Sequence, residues 1–357
     1  MPYIPCLRWK QGEYLAVHRL SATAHQEILP LIEVAEVGFD FETRKPLKSL
    51  GEHLAPFARR VREKWGKDQC LVDLRHVDAT HRLPTGEDAL TFVFADLRLK
   101  GATAVPVVSP QTTADVRKSV RGINARDGFG MAVRVGIEGA VATGFADSLE
   151  TLTQDCDVAP EDCDLVVDLG TPSYDPLEGL VAILEDVVRD LPCLNRWRRV
   201  GLIGTSFPST MAGLPPGTSI RKRSEWVMYR SLVKRLTQRR LRVPCFGDYC
   251  IEFPEIVRMD MRLVKPYASV RYTIPDGWLI ARGMNVRDHK YGQYRQLCSL
   301  VRAAREYSGP AFSEGDMYIY RCAQGMAPTG NLTTWRWVGT NHHLELVARD
   351  VASLGVA

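Results

Sequence analysis

Charged and hydroxyl side chains recur at the ends of short apolar runs along the first two thirds of the chain. If these runs are strands, side chains alternate between two faces, and we expect the polar residues on the face that points away from the helices. They comprise the carboxylates Glu33, Asp73, Asp168 and Asp248, the cations Lys10, Arg75 and Arg134, and the hydroxyls Ser109 and Ser206. Charges are rarely buried without partners, so the pattern predicts one polar site.

The carboxylates of this set predict metal-ion or acid–base chemistry. Asp73, Asp168 and Asp248 offer the oxygen ligands that Mg²⁺ and Mn²⁺ prefer, and Glu33 adds a further catalytic acid or base. We expect the remaining members to bind an anionic ligand: Lys10, Arg75, Ser109, Arg134 and Ser206. Together the two groups favour metal-assisted hydrolysis of a phosphoester.

Other roles for the same residues stay open at this stage. Without a metal, two carboxylates serve as acid and base, and Lys10 could form a Schiff base with a carbonyl. In a purely structural role, the cations would only neutralise the carboxylates inside the fold. Ser206 lacks the G-x-S-x-G context of a hydrolase nucleophile.

Eight apolar runs, each followed by a segment of helical periodicity, must position these side chains. The runs are 3–9, 28–34, 69–74, 103–108, 130–135, 164–169, 199–203 and 243–246. Alternating strands and helices pair in parallel with right-handed crossovers, and eight such units predict a TIM-type β/α barrel. An open, doubly wound sheet is the alternative, but the G-x-G-x-x-G loop typical of that fold is absent. Barrel enzymes keep their active sites at the carboxyl-terminal mouth, where the polar residues fall.

The pattern changes in the last quarter of the chain. Residues 1–261 are expected to form the barrel, and 262–357 a small α+β appendage that packs on the barrel or completes it. Within the appendage we predict strands over 269–274, 278–281 and 317–322, and helices over 291–307 and 343–354. His342 and His343 are adjacent on the last helix and point in different directions, so the sequence does not favour joint metal binding by the two.

Composition excludes several classes of protein. Of 357 residues, 45% are hydrophobic and 25% are charged, which is typical of a globular chain. We find no apolar stretch long enough for a membrane span and no pattern of a secretory signal, so we expect no membrane association. The nine cysteines form no C-x-x-C pair, which predicts reduced thiols in the cytoplasm.

A basic zone between residues 221 and 242 departs from the nearly neutral balance of the chain. It contains nine cations against one acid, Glu225. Arg221, Lys222 and Arg223 are predicted to lie in a loop at the barrel rim. Because clustered cations bind phosphates, these three are the candidates for contact with nucleic acid.

Five short segments form a distinctive set: LRWKQGEY at 7–14, LPLIE at 29–33, EW at 225–226, FGDY at 246–249 and WLIARG at 278–283. As a set they resemble the bacteriophage-associated "beta protein" family. The resemblance covers the whole chain and implies a connection with phages and with bacterial defence. It implies no catalytic residue, although its segments include Lys10, Glu33 and Asp248.

We therefore predict a cytoplasmic barrel protein of phage–host conflict. Its polar mouth would be the site of a metal-assisted hydrolase that acts on a phosphorylated or nucleotide substrate. The alternative is a non-catalytic binding module that recognises nucleic acid or a partner protein. An open mouth would favour the enzyme, and a filled, fully ion-paired mouth would favour the binding module.

Overall fold

A closed barrel of eight parallel strands forms the centre of the computed structural model, which describes residues 1–211, 213–255 and 265–355. In chain order the strands are β1 (Ile4–Arg8), β2 (Leu31–Glu33), β3 (Phe39–Asp40), β4 (Lys45–Pro46), β5 (Cys70–Asp73), β6 (Ala104–Val108), β7 (Met131–Gly136), β8 (Cys163–Asp168), β9 (Arg199–Ile203), β10 (Gly217–Lys222), β11 (Cys245–Asp248), β12 (Tyr267–Ile274) and β13 (Gly277–Asn285). The barrel order is β1-β11-β9-β8-β7-β6-β5-β2. All eight predicted runs are barrel strands, so the prediction of a TIM-type barrel is confirmed.

The first ten helices lie between barrel strands along the chain and cover the outer face of the barrel, and the last four follow the final barrel strand. In chain order they are α1 (Gln11–Val17), α2 (Ala22–Gln26), α3 (Leu50–Leu54), α4 (Phe57–Lys64), α5 (Ala89–Leu99), α6 (Ala114–Asp127), α7 (Ile137–Ala140), α8 (Phe145–Cys156), α9 (Leu177–Asp190), α10 (Ser224–Gln238), α11 (Val286–His289), α12 (Tyr294–Ala303), α13 (Glu314–Ala323) and α14 (Leu332–Ser353). Several begin at a side-chain cap; Asp88, for example, accepts a hydrogen bond from the backbone of Thr91 at the start of α5.

Alternation along the strands divides the apolar side chains into two cores. Leu31, Leu71, Val105 and Val166 belong to a small core inside the barrel. Their strand neighbours, such as Ile32, pack in the larger core against the helices. The period of two therefore determines which side chains reach the barrel axis.

The C-terminal part of the chain adds a three-stranded antiparallel sheet in the order β10-β13-β12. Strand β10 comes from the connection between β9 and α10, so this sheet combines segments from both sides of residue 261. The predicted boundary after residue 261 lies outside the described residues, and the division into two domains stays a prediction. The predicted helix over 291–307 is shorter, since α12 spans Tyr294–Ala303.

The predicted strand over 317–322 is wrong, because this segment lies in helix α13. Ser313 caps the helix by accepting a hydrogen bond from the backbone of Asp316. Ile319 and Cys322, three residues apart, are the buried apolar positions. A spacing of three places both on one helical face, and this packing overrides the strand propensity of the tyrosines.

The last helix, α14, is longer and more deeply buried than the sequence predicts. It packs against α1 and β12, and its polar residues Asn341, His342, His343 and Glu345 are all buried. Gly339 permits this contact, because a Cβ at this position would lie 2.7 Å from the carbonyl oxygen of Arg271 on β12.

Replacement of Gly339 tests this packing. A helical Gly→Ala change normally stabilises a protein by about 0.5–1 kcal/mol. We expect Gly339→Ala instead to lower the free energy of unfolding by about 1–3 kcal/mol, because the added methyl group meets backbone. Gly122→Ala is the matched control, since this exposed glycine of α6 has open space around it. Urea unfolding measures both variants, and equal stabilisation of the two would contradict close packing of α14.

Candidate functional site

Three carboxylates of the predicted set lie at the ends of barrel strands and point to the barrel axis. Glu33 ends β2, Asp73 ends β5 and Asp168 ends β8. Glu33 and Asp73 are also direct neighbours in the register of the sheet. Because parallel strands end at the same mouth of the barrel, local sequence and sheet register together bring these acids close to one another.

The guanidinium group of Arg134, from β7, lies between these carboxylates. Its Nη1 donates to Glu33 Oε1 at 2.8 Å and to Asp73 Oδ2 at 2.9 Å. Its Nη2 donates to Asp168 Oδ2 at 2.7 Å and to the hydroxyl of Tyr249 at 2.8 Å. Only 5% of the Arg134 side chain is exposed. Such a charge is stable when buried only if its donors are satisfied, and these contacts satisfy them.

The loop after β5 adds a histidine and a second arginine to the same site. His76 Nε2 lies 2.9 Å from Glu33 Oε2. Arg75 is half-exposed, with Nη1 3.5 Å from Asp168 Oδ2. Asp73 holds this loop in place, because its Oδ1 accepts a hydrogen bond from the backbone of Arg75.

Electrostatics keep Glu33 ionised at neutral pH. Burial raises the pKa of this carboxyl, but the hydrogen bond from His76 and the charge of Arg134 outweigh burial. The net result is a pKa well below the usual range of a glutamate. Glu33 is therefore a hydrogen-bond acceptor rather than a proton donor in this site.

A cavity of about 1190 Å³ opens above this cluster at the mouth of the barrel. The residues that line it include Arg75, His76, Ser109, Arg134, Glu138 and Asp168. The mouth therefore combines two features that the sequence analysis treated as alternatives, an ion-paired floor and open space above it. The volume is large enough for a nucleotide-sized molecule.

The prediction that Asp248 faces the barrel axis is wrong. Phe246 and Cys250 pack in the outer core, whereas Cys245 and Tyr249 pack in the inner core. Asp248 shares the face of Phe246 and lies away from Arg134. Tyr249 is the mouth residue of this strand, and its hydroxyl donates to Asp168 Oδ2 at 2.6 Å. Counting in twos from Cys245 would have identified Tyr249.

Lys10 and Ser206 also lie outside the cluster around Arg134. Lys10 precedes α1, and its Nζ donates to Glu36 at 2.7 Å on the rim of a smaller cavity. Ser206 donates to Glu225 Oε2 at 2.5 Å and accepts from the backbone of Ser224, so it anchors the start of α10. Both residues follow the ends of their strands, where the alternation of side chains no longer determines direction.

The three predicted metal ligands do not converge. Asp73 and Asp168 contact Arg134, and Asp248 lies on the opposite face of its strand. Within the described part of the chain, the candidate metal-binding group is instead Asp248, Cys250 and His343. Sequence reasoning missed Cys250 and His343 because nearly a hundred residues separate them.

The three predicted nucleic-acid contacts are also divided. Arg221 and Lys222 are exposed on strand β10 rather than in a loop. Arg223 is fully buried, with its Nε 3.5 Å from Glu225 Oε1. The prediction of a shared basic loop is wrong, because the antiparallel sheet turns the chain inward at Arg223.

The fold and this mouth define a β/α barrel protein of the TIM type. The chain belongs to the Beta protein family, whose sequence profile matches residues 3–349, and the resemblance noted in the sequence is thereby confirmed. A search of curated proteins found no match. No helix in the described residues has the length and apolar character needed to cross a bilayer.

Solved structures of several barrel enzymes are similar to this chain. Triosephosphate isomerase from Bartonella henselae is 13% identical, with a TM-score of 0.36, over 69% of this chain and 91% of that enzyme. 3-Hexulose-6-phosphate synthase from Salmonella typhimurium is 13% identical, with a TM-score of 0.33, over 70% of this chain and 88% of that enzyme. At such identities the likeness concerns the fold alone. The assignment to the TIM type rests on the closed sheet of eight parallel strands.

Removal of Arg134 tests the ion-paired floor. Arg134→Met leaves three carboxylates at the mouth without their shared cation, so we expect the free energy of unfolding at neutral pH to fall by about 3–5 kcal/mol. Arg59→Met is the matched control, because this exposed arginine forms only a surface pair with Glu63, and it should leave stability almost unchanged. Similar denaturation midpoints for both variants would refute the role of Arg134.

The pH dependence of stability tests Glu33. Its pKa is lower in the folded state than in the unfolded chain, where a glutamate titrates near about 4.3. The stabilisation is therefore complete above that pH and disappears as pH falls through the folded pKa. We expect Glu33→Gln to be less stable than the wild type at pH 7, with a difference that shrinks in strong acid. A difference independent of pH, measured by urea unfolding, would contradict this assignment.

Proposed function

We propose that the mouth cavity binds a phosphorylated ligand and hydrolyses a phosphoester, with His76 as the general base. The observation that carries this proposal is the contact between His76 Nε2 and Glu33 Oε2 at 2.9 Å, on the wall of an open cavity. A carboxylate that orients an imidazole is a recurring device of acid–base catalysis.

The charge state of Glu33 determines which nitrogen of His76 acts. An ionised carboxylate only accepts hydrogen bonds, so His76 carries its proton on Nε2 and donates it to Glu33. The lone pair of Nδ1 then remains for a substrate or a water molecule. His76 takes a proton from water through Nδ1, the water oxygen attacks phosphorus, and the proton passes to the departing alkoxide.

Arg75 supports the choice of an anionic ligand. Its guanidinium group is half-exposed at the cavity, and its contact with Asp168 is long, at 3.5 Å. The group therefore keeps free donors that can bind a phosphate. Other cavity-lining residues, including Asp78, Glu138 and Glu255, are acidic. This balance of charge favours a ligand with one phosphate over a polyphosphate, which the acids would repel.

The metal-assisted form of this reaction, with Mg²⁺ or Mn²⁺, receives less support. The carboxylate oxygens that would coordinate the ion at the floor of the mouth already accept hydrogen bonds from Arg134. The guanidinium group occupies the place of the cation and balances the same charges. We therefore propose that His76 and Arg75 act without an ion at this position.

The biological setting of the proposal follows from the family. Membership in the Beta protein family supports a role in phage–host conflict, and nine free cysteines support a reducing compartment such as the cytoplasm. A non-catalytic module that binds nucleic acid or a partner protein is the alternative. Burial of Arg223 leaves Arg221 and Lys222 as the exposed members of the predicted nucleic-acid set, which weakens that alternative.

Hydrolysis of simple phosphoesters tests the proposed roles. The probes are p-nitrophenyl phosphate, bis(p-nitrophenyl) phosphate and the nucleoside monophosphates, with inorganic phosphate as a binding probe. We expect His76→Gln to lower kcat/KM by about 100-fold or more, through kcat. Arg75→Met should weaken phosphate binding by about tenfold, because it removes a charged hydrogen-bond donor.

His81→Gln is the matched control, because His81 is an exposed histidine of the same loop. This variant should keep the wild-type kinetics, and added Mg²⁺ or Mn²⁺ should leave them unchanged. The proposal fails if the wild type binds no phosphate, or if His76→Gln and His81→Gln behave alike. Activity that requires Mg²⁺ or Mn²⁺ would restore the metal-assisted mechanism.

A further inference from the structure

A second buried polar cluster lies between the last barrel strand and helix α14, on the face of β11 that points away from the barrel axis. Its centre consists of Asp248, Cys250 and His343, all of them buried. One ligand atom from each lies within 4.8 Å of the others. The proposed hydrolytic site uses none of these three residues.

The spacing of the donor atoms suits a small tetrahedral ion. His343 Nε2 lies 2.9 Å from Asp248 Oδ2. The hydroxyl of Tyr3 lies 3.2 Å from that nitrogen and 3.8 Å from Cys250 Sγ. Zinc ligands at about 2.0–2.3 Å from the metal lie about 3–4 Å from one another. The separation of the Asp248 and His343 atoms is close to this spacing, and Cys250 Sγ lies within 4.8 Å of both atoms. The hydroxyl of Tyr3 also donates a hydrogen bond to Asp248 Oδ1 at 2.5 Å.

Neighbouring groups orient each of the donors. The hydroxyl of Thr273 lies 2.9 Å from His343 Nδ1 and fixes the imidazole ring. Asp248 Oδ1 accepts hydrogen bonds from Tyr3 and from the backbone of Cys250, which leaves Oδ2 directed to His343. Outer partners of this kind accompany metal ligands in proteins and set their direction.

The adjacent histidine does not take part. His342 bonds to Asp316 through Nδ1 and to the carbonyl of Thr273 through Nε2, each at 2.8 Å. Both of its ring nitrogens are therefore occupied, as expected from adjacent residues on one helix that point in different directions. His343 is the histidine of this pair that faces the barrel.

The guanidinium group of Arg223 is a second, independent sign of an additional group in this region. It is fully buried, and its three nitrogens have no hydrogen-bond partner in the described structure. Nη2 points to Asp248 Oδ2 at 3.9 Å, and Nη1 to Asp350 Oδ2 at 3.8 Å. Buried donors without a protein partner are rare, so they support our inference that a further group binds beside this cluster.

We propose that Asp248, Cys250 and His343 bind a zinc ion that fastens helix α14 to the barrel. A carboxylate, a thiolate and an imidazole form a ligand set that zinc accepts, and the set carries the charge that balances Zn²⁺. Binding releases the thiol proton of Cys250 to solvent, and the proton that His343 Nε2 shares with Asp248 moves to Nδ1, where the hydroxyl of Thr273 accepts it. The cation of Arg223 does not prevent binding, because Glu225 and Asp350 lie at 3.5 and 3.8 Å from its guanidinium nitrogens.

Access to the site and its effect on the mouth both follow from its position. A cavity of about 330 Å³ between the barrel and α14 reaches Cys250 and Thr340, so an ion can approach the thiol from solvent. Tyr249 stands between two of the ligands in sequence, and its hydroxyl contacts Arg134 and Asp168. Zinc would hold the backbone on both sides of Tyr249 and thereby support the floor of the mouth.

Cobalt substitution in the full-length chain tests this proposal. Protein stripped with a chelator is titrated with Co²⁺ and then with Zn²⁺. We expect one Co²⁺ per chain, a thiolate-to-cobalt charge-transfer band in the near ultraviolet, and loss of both signals when Zn²⁺ displaces Co²⁺. Cys250→Ser should remove the band, and Thr273→Val should weaken metal binding by about 10- to 100-fold. A wild type without the band overturns the proposal.

Two cysteine variants are the controls. Cys156→Ser changes a buried thiol outside the cluster, and Cys193→Ser changes the exposed thiol. Both should keep the band, and its loss in either would overturn the assignment to Cys250. If Cys250→Ser does not fold, X-ray absorption spectroscopy of the zinc-loaded wild type tests the site. One sulfur ligand at about 2.3 Å from zinc supports the proposal, and the absence of a sulfur ligand refutes it.

Discussion

The buried guanidinium group of Arg134 is the interaction on which the barrel mouth depends. Three carboxylates from three strands converge at this point, and like charges so close together repel each other unless a cation lies between them. One planar cation with several donors satisfies all three and also holds the hydroxyl of Tyr249. Side chains from the ends of five barrel strands thus meet at one guanidinium group, and together they form the floor of the cavity.

The contacts of Arg134 also restrict which residues can take part in the reaction that we propose. The carboxylate oxygens that meet Arg134 already accept hydrogen bonds from its guanidinium group, so the mechanism that we propose uses other groups of the mouth. In the hydrolysis that we propose, the reactive groups are His76 and Arg75, which lie at the edge of the cluster and face the cavity. The buried ion pairs around Arg134 and the two residues that face the cavity therefore belong to one network of polar contacts.

The end of strand β11 connects two polar clusters. Asp248 and Cys250 point outward to α14, and Tyr249 between them points inward to Arg134. Because neighbouring residues of an extended chain face opposite sides, a short segment serves both the mouth and the contact with the C-terminal helix. Very little backbone separates the two clusters.

Local sequence patterns determined the barrel itself. Eight apolar runs with intervening helical stripes require parallel strands, and the period of two placed Glu33, Asp73, Arg134 and Asp168 on the inner face. The pattern was reliable there because the apolar residues on either side mark the outer face. It misplaced Asp248, which follows the short run 243–246 after Gly247, and it misread 317–322, where packing on a helix outweighed strand propensity.

Only the tertiary structure decided which distant residues meet. Nothing near Cys250 indicates that His343 of α14 will lie beside it, or that Arg223 will be buried while Arg221 and Lys222 stay exposed. The physical reason is that periodicity reports the direction of a side chain relative to its own element. The partner of that side chain depends on how elements far apart in the chain pack, and on which charges this packing removes from water.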